Sequence, residues 1–139
     1  MFKHVLVPMD GSDHARVALD LAIELAGEHE ATVSVLGALD AEALMQAPFN
    51  AAVGDESLAA YQRYVDAQLA HVPGAHRGNA SARYGEPAAS ICAYARDEGA
   101  DVVVMSTHGV GAKGGYALGS VALKVLQNAP CPVLLKRIE

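Results

Sequence analysis

Val102-Val103-Val104-Met105-Ser106-Thr107-His108-Gly109 opens a segment that runs nine residues further and arrives at Gly119-Ser120. Asp101 to Met105 reads as a strand, and its continuous apolar run marks one covered on both faces. Gly109, Gly111, Gly114, Gly115 and Gly119 make a glycine-rich loop, and Val121 to Asn128 has helical spacing. Strand, glycine loop and helix start, in that order, point backbone N–H groups and the positive end of a helix dipole at one spot. A phosphate suits that spot, and glycines let a ligand approach the backbone closely. A plain surface loop is the alternative reading.

Outward from this segment the chain alternates between two periods. Val5-Leu6-Val7, ended by Pro8, is a short buried strand. Asp10-Gly11-Ser12 is a turn in which Ser12 or Asp10 can cap the next helix. From Asp13 to Glu28, Val17, Leu21 and Leu25 with Ala18 and Ala22 form one apolar helical face. Thr32 to Leu36 is a second strand, bounded by Gly37. Ala41 to Gly54 has no clean period and reads as a long loop. Leu58 to Val72 is a helix with Leu58, Tyr61, Val65, Leu69 and Val72 on its face, stopped by Pro73-Gly74. Ala80 to Tyr84 is a weak strand. Pro87 opens a helix faced by Ala88, Ile91, Cys92 and Ala95. The last helix turns Val121, Ala122, Val125 and Leu126 to the core, and Val133-Leu134-Leu135 is the fifth strand. Strands alternating with helices imply an α/β fold: one open, parallel, five-stranded sheet with helices on both faces, Rossmann-like. Ligands of such sheets lie beyond the carboxyl ends of the strands, where Asp10, Gly37-Ala38 and the loop after Met105 all fall.

Bulk properties narrow the classes. The 139 residues suffice for one domain with a real core, 1–139. With 52% hydrophobic and 19% charged residues the chain is globular rather than disordered. A net charge of −6 argues against nucleic-acid binding, which needs a basic stripe. No apolar run approaches a membrane span, and the first residues lack a signal-peptide layout, so no membrane association and a cytoplasmic location are expected. Cys92 and Cys131 form no CxxC and stand near no histidine cluster; they read as buried or semi-buried thiols, with no metal site.

Several motifs carry chemistry. Gly109-Val110-Gly111-Ala112-Lys113-Gly114 matches G-x-G-x-x-G, but its helix does not open directly and no acidic residue stands about 20 positions on, so it is a poor dinucleotide fingerprint. Neither a G-x-x-x-x-G-K-[ST] loop nor a G-x-S-x-G elbow occurs. Asp10 can accept hydrogen bonds from a ribose or base, help hold a metal, or simply cap a helix. Lys113 can neutralise a phosphate or be an ordinary exposed lysine. His108 can act as a general acid or base, although no partner for it is visible. Ser120 suits a helix cap and a phosphate ligand at once. The remaining histidines, at 4, 14, 29, 71 and 76, read as solvated or structural.

With these residues in view the chain resembles the universal stress protein family along nearly its whole length. Nucleotide-binding members carry G-x-x-G, nine residues, then G-[ST]; here Ser106-x-x-Gly109 is followed by nine residues and Gly119-Ser120. Val5 to Ser12 looks like the family's first strand with its aspartate, Tyr84-Gly85-Glu86-Pro87-Ala88 like its third strand-to-helix corner, and Ala129 to Leu135 like its closing strand. The resemblance implies adenosine near Asp10 and Ala38 and phosphates near Gly109, Gly119 and Ser120. The candidate nucleotide site is Pro8, Asp10, Ala38, Met105, Ser106, Gly109, Gly111, Gly119, Ser120 and Val121, holding ATP with Mg²⁺ or Mn²⁺. The departure is Ser106, which a positive φ would strain by roughly 1 kcal/mol or more.

Three functions compete: a regulatory, stress-response adenine-nucleotide binder; a slow ATPase or phosphotransferase; and a structural stress-response dimer without nucleotide. Chemistry at a γ-phosphate needs a positioned nucleophile and charge stabilisation. No paired constellation supplies them, so binding is favoured over turnover. If the last strand lies at the sheet edge, as the resemblance implies, its unpaired backbone suits a homodimer built on Pro132 to Arg137.

Overall fold

The computed structural model describes residues 1–40, 55–108 and 118–138. The loop expected over Ala41 to Gly54, and Gly109, Gly111 and Lys113, lie outside them. Five strands and four helices alternate: β1 (His4–Pro8), α1 (Asp13–His29), β2 (Thr32–Leu39), α2 (Asp55–Leu69), β3 (Arg77–Tyr84), α3 (Pro87–Asp97), β4 (Val102–Ser106), α4 (Ser120–Asn128) and β5 (Val133–Lys136). All strand pairs are parallel, in the order β3-β2-β1-β4-β5. β1 is central, and Val5, Leu6 and Val7 are wholly buried. Their alternation feeds two cores. Val5 and Val7 pack with Val33, Val35, Val102 and Val104 under α1 and α2; Leu6 packs with Leu36, Val103 and Met105 under α3 and α4. The expected α/β architecture, with helices on both faces, is the observed one.

Side chains pin the amino ends of the strands. The Asp101 carboxylate accepts the N–H groups of Lys3 (2.7 Å) and His4 (3.1 Å), tying the start of β4 to that of β1. Between β2 and β3 the register shifts: Val33 pairs with Arg77 but Val35 with Ala80. Such a bulge strands a backbone group. The buried Ser34 hydroxyl rescues it, accepting the Asn79 N–H at 3.0 Å and lying 2.9 Å from His4 Nε2. A Cβ at Gly78 would run into that hydroxyl and sit 2.9 Å from the Val33 carbonyl oxygen. At the outer edge of the sheet, the Gln62 amide of α2 donates to the Ala80 carbonyl (3.0 Å) and accepts the Ala82 N–H (2.9 Å), closing part of β3's open side.

Five sequence expectations need correction. α1 does not bury Val17, which is 40% exposed; Ala15, Ala18, Leu19, Ala22 and Ala26 face the sheet, because small residues let the helix lie close to it. Leu126 of α4 is likewise exposed, and its core face is Ala122 and Val125. α2 ends at Leu69 rather than Val72, and β3 starts at Arg77 rather than Ala80. Arg77 fastens the connection between them: its guanidinium donates to the carbonyls of Val72 (2.8 Å) and Ala70 (3.3 Å). β2 does not stop at Gly37 but continues to Leu39. Gly37 is there for close approach, since a Cβ would overlap the Tyr61 ring and come within 3.0 Å of Val65 Cγ1. Gly37→Val is therefore expected to destabilise the protein by about 1–3 kcal/mol through overpacking, read as a lower denaturation midpoint with an unchanged slope in urea.

Candidate functional site

The direction in which the sheet is built outward reverses between β1 and β4: the chain winds from β1 to β2 and β3 on one side, then to β4 and β5 on the other. Diverging crossovers leave a crevice at that reversal, beyond the carboxyl ends of the strands. A cleft of about 590 Å³ lies there. Its walls include Pro8, Asp10, Ala38, Met105, Ser106, Gly119, Ser120 and Val121, all drawn from the sequence-derived set. Gly109 and Gly111 complete that set but lie outside the described residues. The cleft is also lined by residues that the sequence did not single out for it, among them Leu39, Asp40, Tyr61, Pro87 and Ile91.

The β1–α1 turn forms one wall and is held from both ends. Met9 N–H donates to the Leu36 carbonyl at 2.8 Å, extending the β1–β2 pairing. Ser12 caps α1, its hydroxyl accepting the Ala15 N–H at 3.1 Å. Asp10 in turn accepts the N–H (3.0 Å) and hydroxyl of Ser12, so the aspartate orients the cap instead of being it. From above, two tyrosines of α2 clamp the turn. Tyr61 donates its hydroxyl to the Met9 carbonyl and Tyr64 accepts the Gly11 N–H, each at 2.9 Å. The rings meet edge to face at 5.3 Å. Burial, then the neighbouring Tyr64 and the Asp10 charge, push the Tyr61 hydroxyl well above the ordinary tyrosine range. Tyr64 is raised too, chiefly by burial, against the opposing pull of the Gly11 N–H.

The opposite wall is the end of β4 with the start of α4. Ser106 is a strand residue and donates its hydroxyl to the His108 carbonyl. Glu30 is the one non-glycine residue with positive φ among the described residues, so Ser106 carries no left-handed strain. Gly119 N–H donates to the Thr107 carbonyl at 2.7 Å, bringing the helix start against the strand end. The helix cap is Gly119, not Ser120 as expected, and no side chain bonds to the cap. α1 and α3 differ, because Ser12 and the Glu86 carboxylate bond to their first-turn N–H groups. The amino end of α4 thus faces the cleft with main-chain donors and a positive dipole, as an anion requires.

Among the described residues no three His, Cys, Asp or Glu side chains gather as a metal cluster. Cys92 and Cys131 are partly buried thiols whose ionisation is pushed up, first by burial. No helix among the described residues is long and apolar enough to cross a membrane.

A family model described as the universal stress protein family matches residues 1–137. The chain belongs to that family. A universal stress protein of Thermus aquaticus is 38% identical over 138 residues, covering 99% of this chain and all of the relative. Among solved structures, the hypothetical protein MJ0577 superposes with a TM-score of 0.86 at 23% identity, covering 100% of this chain and 98% of that one. A universal stress protein in complex with cAMP gives 0.67 at 23% identity, covering 99% and 98%. One from Archaeoglobus fulgidus in complex with dAMP gives 0.69 at 21% identity, covering 97% of each. At these identities the structural likeness establishes the family's fold.

The tyrosine clamp has a measurable signature. Tyr61 keeps its proton in the folded chain beyond the ordinary value of 10.0. Its contribution to stability is complete below about pH 10 and is lost as the pH climbs above it, where the unfolded chain ionises first. Tyr61→Phe is expected to make the alkaline fall in stability shallower, measured by urea denaturation between pH 9 and about 11.

Proposed function

We propose that this protein binds an adenine nucleotide, ATP with Mg²⁺ or Mn²⁺, and acts in a stress response by holding the nucleotide rather than turning it over. The reading rests on the convergence of Asp10, Ala38, Gly119 and Ser120 on one cleft at the sheet's reversal, beside a helix start that no side chain caps. Apolar walls from Leu36, Leu39, Ile91 and Met105 suit a base, the Asp10 carboxylate suits ribose hydroxyls, and the main chain at Gly119-Ser120 suits phosphate. Two family structures in complex with adenine nucleotides, cAMP and dAMP, support the same ligand class here.

Binding is favoured over hydrolysis because Asp10 and His108, the candidate catalytic groups among the described residues, are oriented for other tasks. Asp10 holds the helix cap through Ser12, and the His108 ring is oriented by a neutral hydroxyl, that of Thr107. Hydrolysis needs a water aligned with the γ-phosphate and its developing charge stabilised. ATP with Mg²⁺ at millimolar concentration is expected to raise the melting temperature, since a ligand bound only by the native state stabilises it. Calorimetric titration should show saturable heat, which Gly119→Val removes while the circular dichroism spectrum stays native. Any hydrolysis should run far below the roughly 1–1000 per second of ordinary enzymes. No heat and no thermal shift with the wild type would reject the reading.

Assembly follows from the other end of the chain. Among the described residues β5 pairs only with β4, and Leu134 on it is 39% exposed. A two-fold pairing of Pro132 to Arg137 with a second copy satisfies the strand's remaining donors and acceptors. Light scattering at micromolar concentration is expected to return a dimer mass, and Leu134→Pro, which blocks strand addition at this edge, a monomer mass.

A further inference from the structure

His108, which lines the cleft, meets a second histidine, His14. His14 is the second residue of α1 and His108 follows β4. Their rings stand edge to face, 6.4 Å between centroids and 70° between planes. One nitrogen of each, His14 Nδ1 and His108 Nε2, is buried and without a hydrogen-bond partner among the described residues. A buried polar atom left unpaired costs about 1–3 kcal/mol, and native proteins carry few of them. Two such atoms on adjoining rings ask for a common partner.

The surroundings define what that partner must be. Thr107 Oγ1 receives the Ile138 N–H at 3.2 Å and lies 3.0 Å from His108 Nδ1. With that hydrogen accepted, the hydroxyl can give its own to Nδ1, the arrangement that puts the ring proton on Nε2. In that tautomer His108 presents a donor, and its complement is an acceptor. The ring spacing agrees. An oxygen bonded by both rings at about 2.8–3.0 Å and a tetrahedral angle holds their centres roughly 6–7 Å apart. A metal ligated by both at about 2.0–2.1 Å draws them to roughly 5 Å. The observed 6.4 Å fits the oxygen.

We infer that His14 and His108 form a two-imidazole clamp for one oxygen at the far end of the nucleotide's phosphate chain. His108 lines the cleft, and Thr107 beside it bonds to Gly119, the cap of α4, so the clamp adjoins the helix start. This inference rests on the nucleotide reading and extends it: the clamp selects polyphosphates over nucleosides and monophosphates.

The test is calorimetric titration of the full chain with ATP, AMP, adenosine and inorganic triphosphate, with ¹⁵N-histidine spectra recorded alongside. His14→Ala and His108→Ala are each expected to weaken ATP at least tenfold and leave adenosine unchanged. His108→Gln, which restores a donor, should recover part of the loss. His14 Nδ1 and His108 Nε2 should both shift on adding ATP. Because His14→Leu removes an unpaired buried group, the ligand-free protein should melt no lower than wild type while ATP binding falls; that opposite sign separates the clamp from a structural role. Unchanged ATP affinity in both alanine variants, with unmoved nitrogen signals, would overturn the clamp and leave a ring-on-ring contact only. Zn²⁺ moving both nitrogens while triphosphate moves neither would also overturn it. If wild type binds no adenine nucleotide, the cleft reading falls by itself, and inorganic triphosphate still decides whether the imidazoles receive an anion.

Discussion

A strand with no exposed side governs this molecule. Val5, Leu6 and Val7 are buried from both faces, and β1 is flanked by β2 and β4 on its two edges. Every backbone N–H and C=O along it must find a partner inside the protein, because water cannot reach them. Parallel neighbours meet that demand, and parallel neighbours require crossovers long enough to return the chain to the same end of the sheet. The helices are those crossovers. Right-handed crossings then place the chain on one face when it builds toward β3 and on the other when it builds toward β5. The crevice between β1 and β4 is a by-product of satisfying the central strand.

That origin explains the division of labour around the cleft. Its floor belongs to the rigid core, where Leu36 and Met105 are also packing residues. Its rims are turns, and each turn is fastened by groups remote in sequence. Met9 and Gly11 are steadied by Tyr61 and Tyr64, 52 and 53 positions downstream, while the end of β4 is tied to Ile138 through Thr107. A ligand here meets a frame already ordered before it arrives, which lowers the entropy lost on binding.

Much of this was legible in the residues. The apolar runs at Val5 and Val102 and the turn residues between periodic segments led to the right fold class, and the glycine motif led to the wall of the cleft. The errors share a cause: local patterns report period but not phase or close approach. In α1 the large residues Val17, Leu21 and Leu25 suggested one face, yet the alanine stripe is what lets a helix lie near a sheet. Gly37 punctuates the sequence like a strand end, and only the Tyr61 ring lying over it reveals a strand interior. Tyr61 was readable as core, but its hydroxyl bonds to a residue 52 positions away, beyond any window. His14 read as solvated or structural, and its contact with the His108 ring, far off in sequence, was invisible for the same reason.

The two edges of the sheet are not equivalent. Gln62 occupies backbone groups on the outside of β3 with its own amide, mimicking the strand that is not there. β5 has no counterpart to Gln62 among the described residues. The sheet is thus partly closed at one side and open at the other. Two copies paired through β5 about a two-fold axis would leave only the partly covered β3 edges outermost, where further strand addition is disfavoured. A glutamine on a surface helix thereby disfavours further strand addition at the β3 edge.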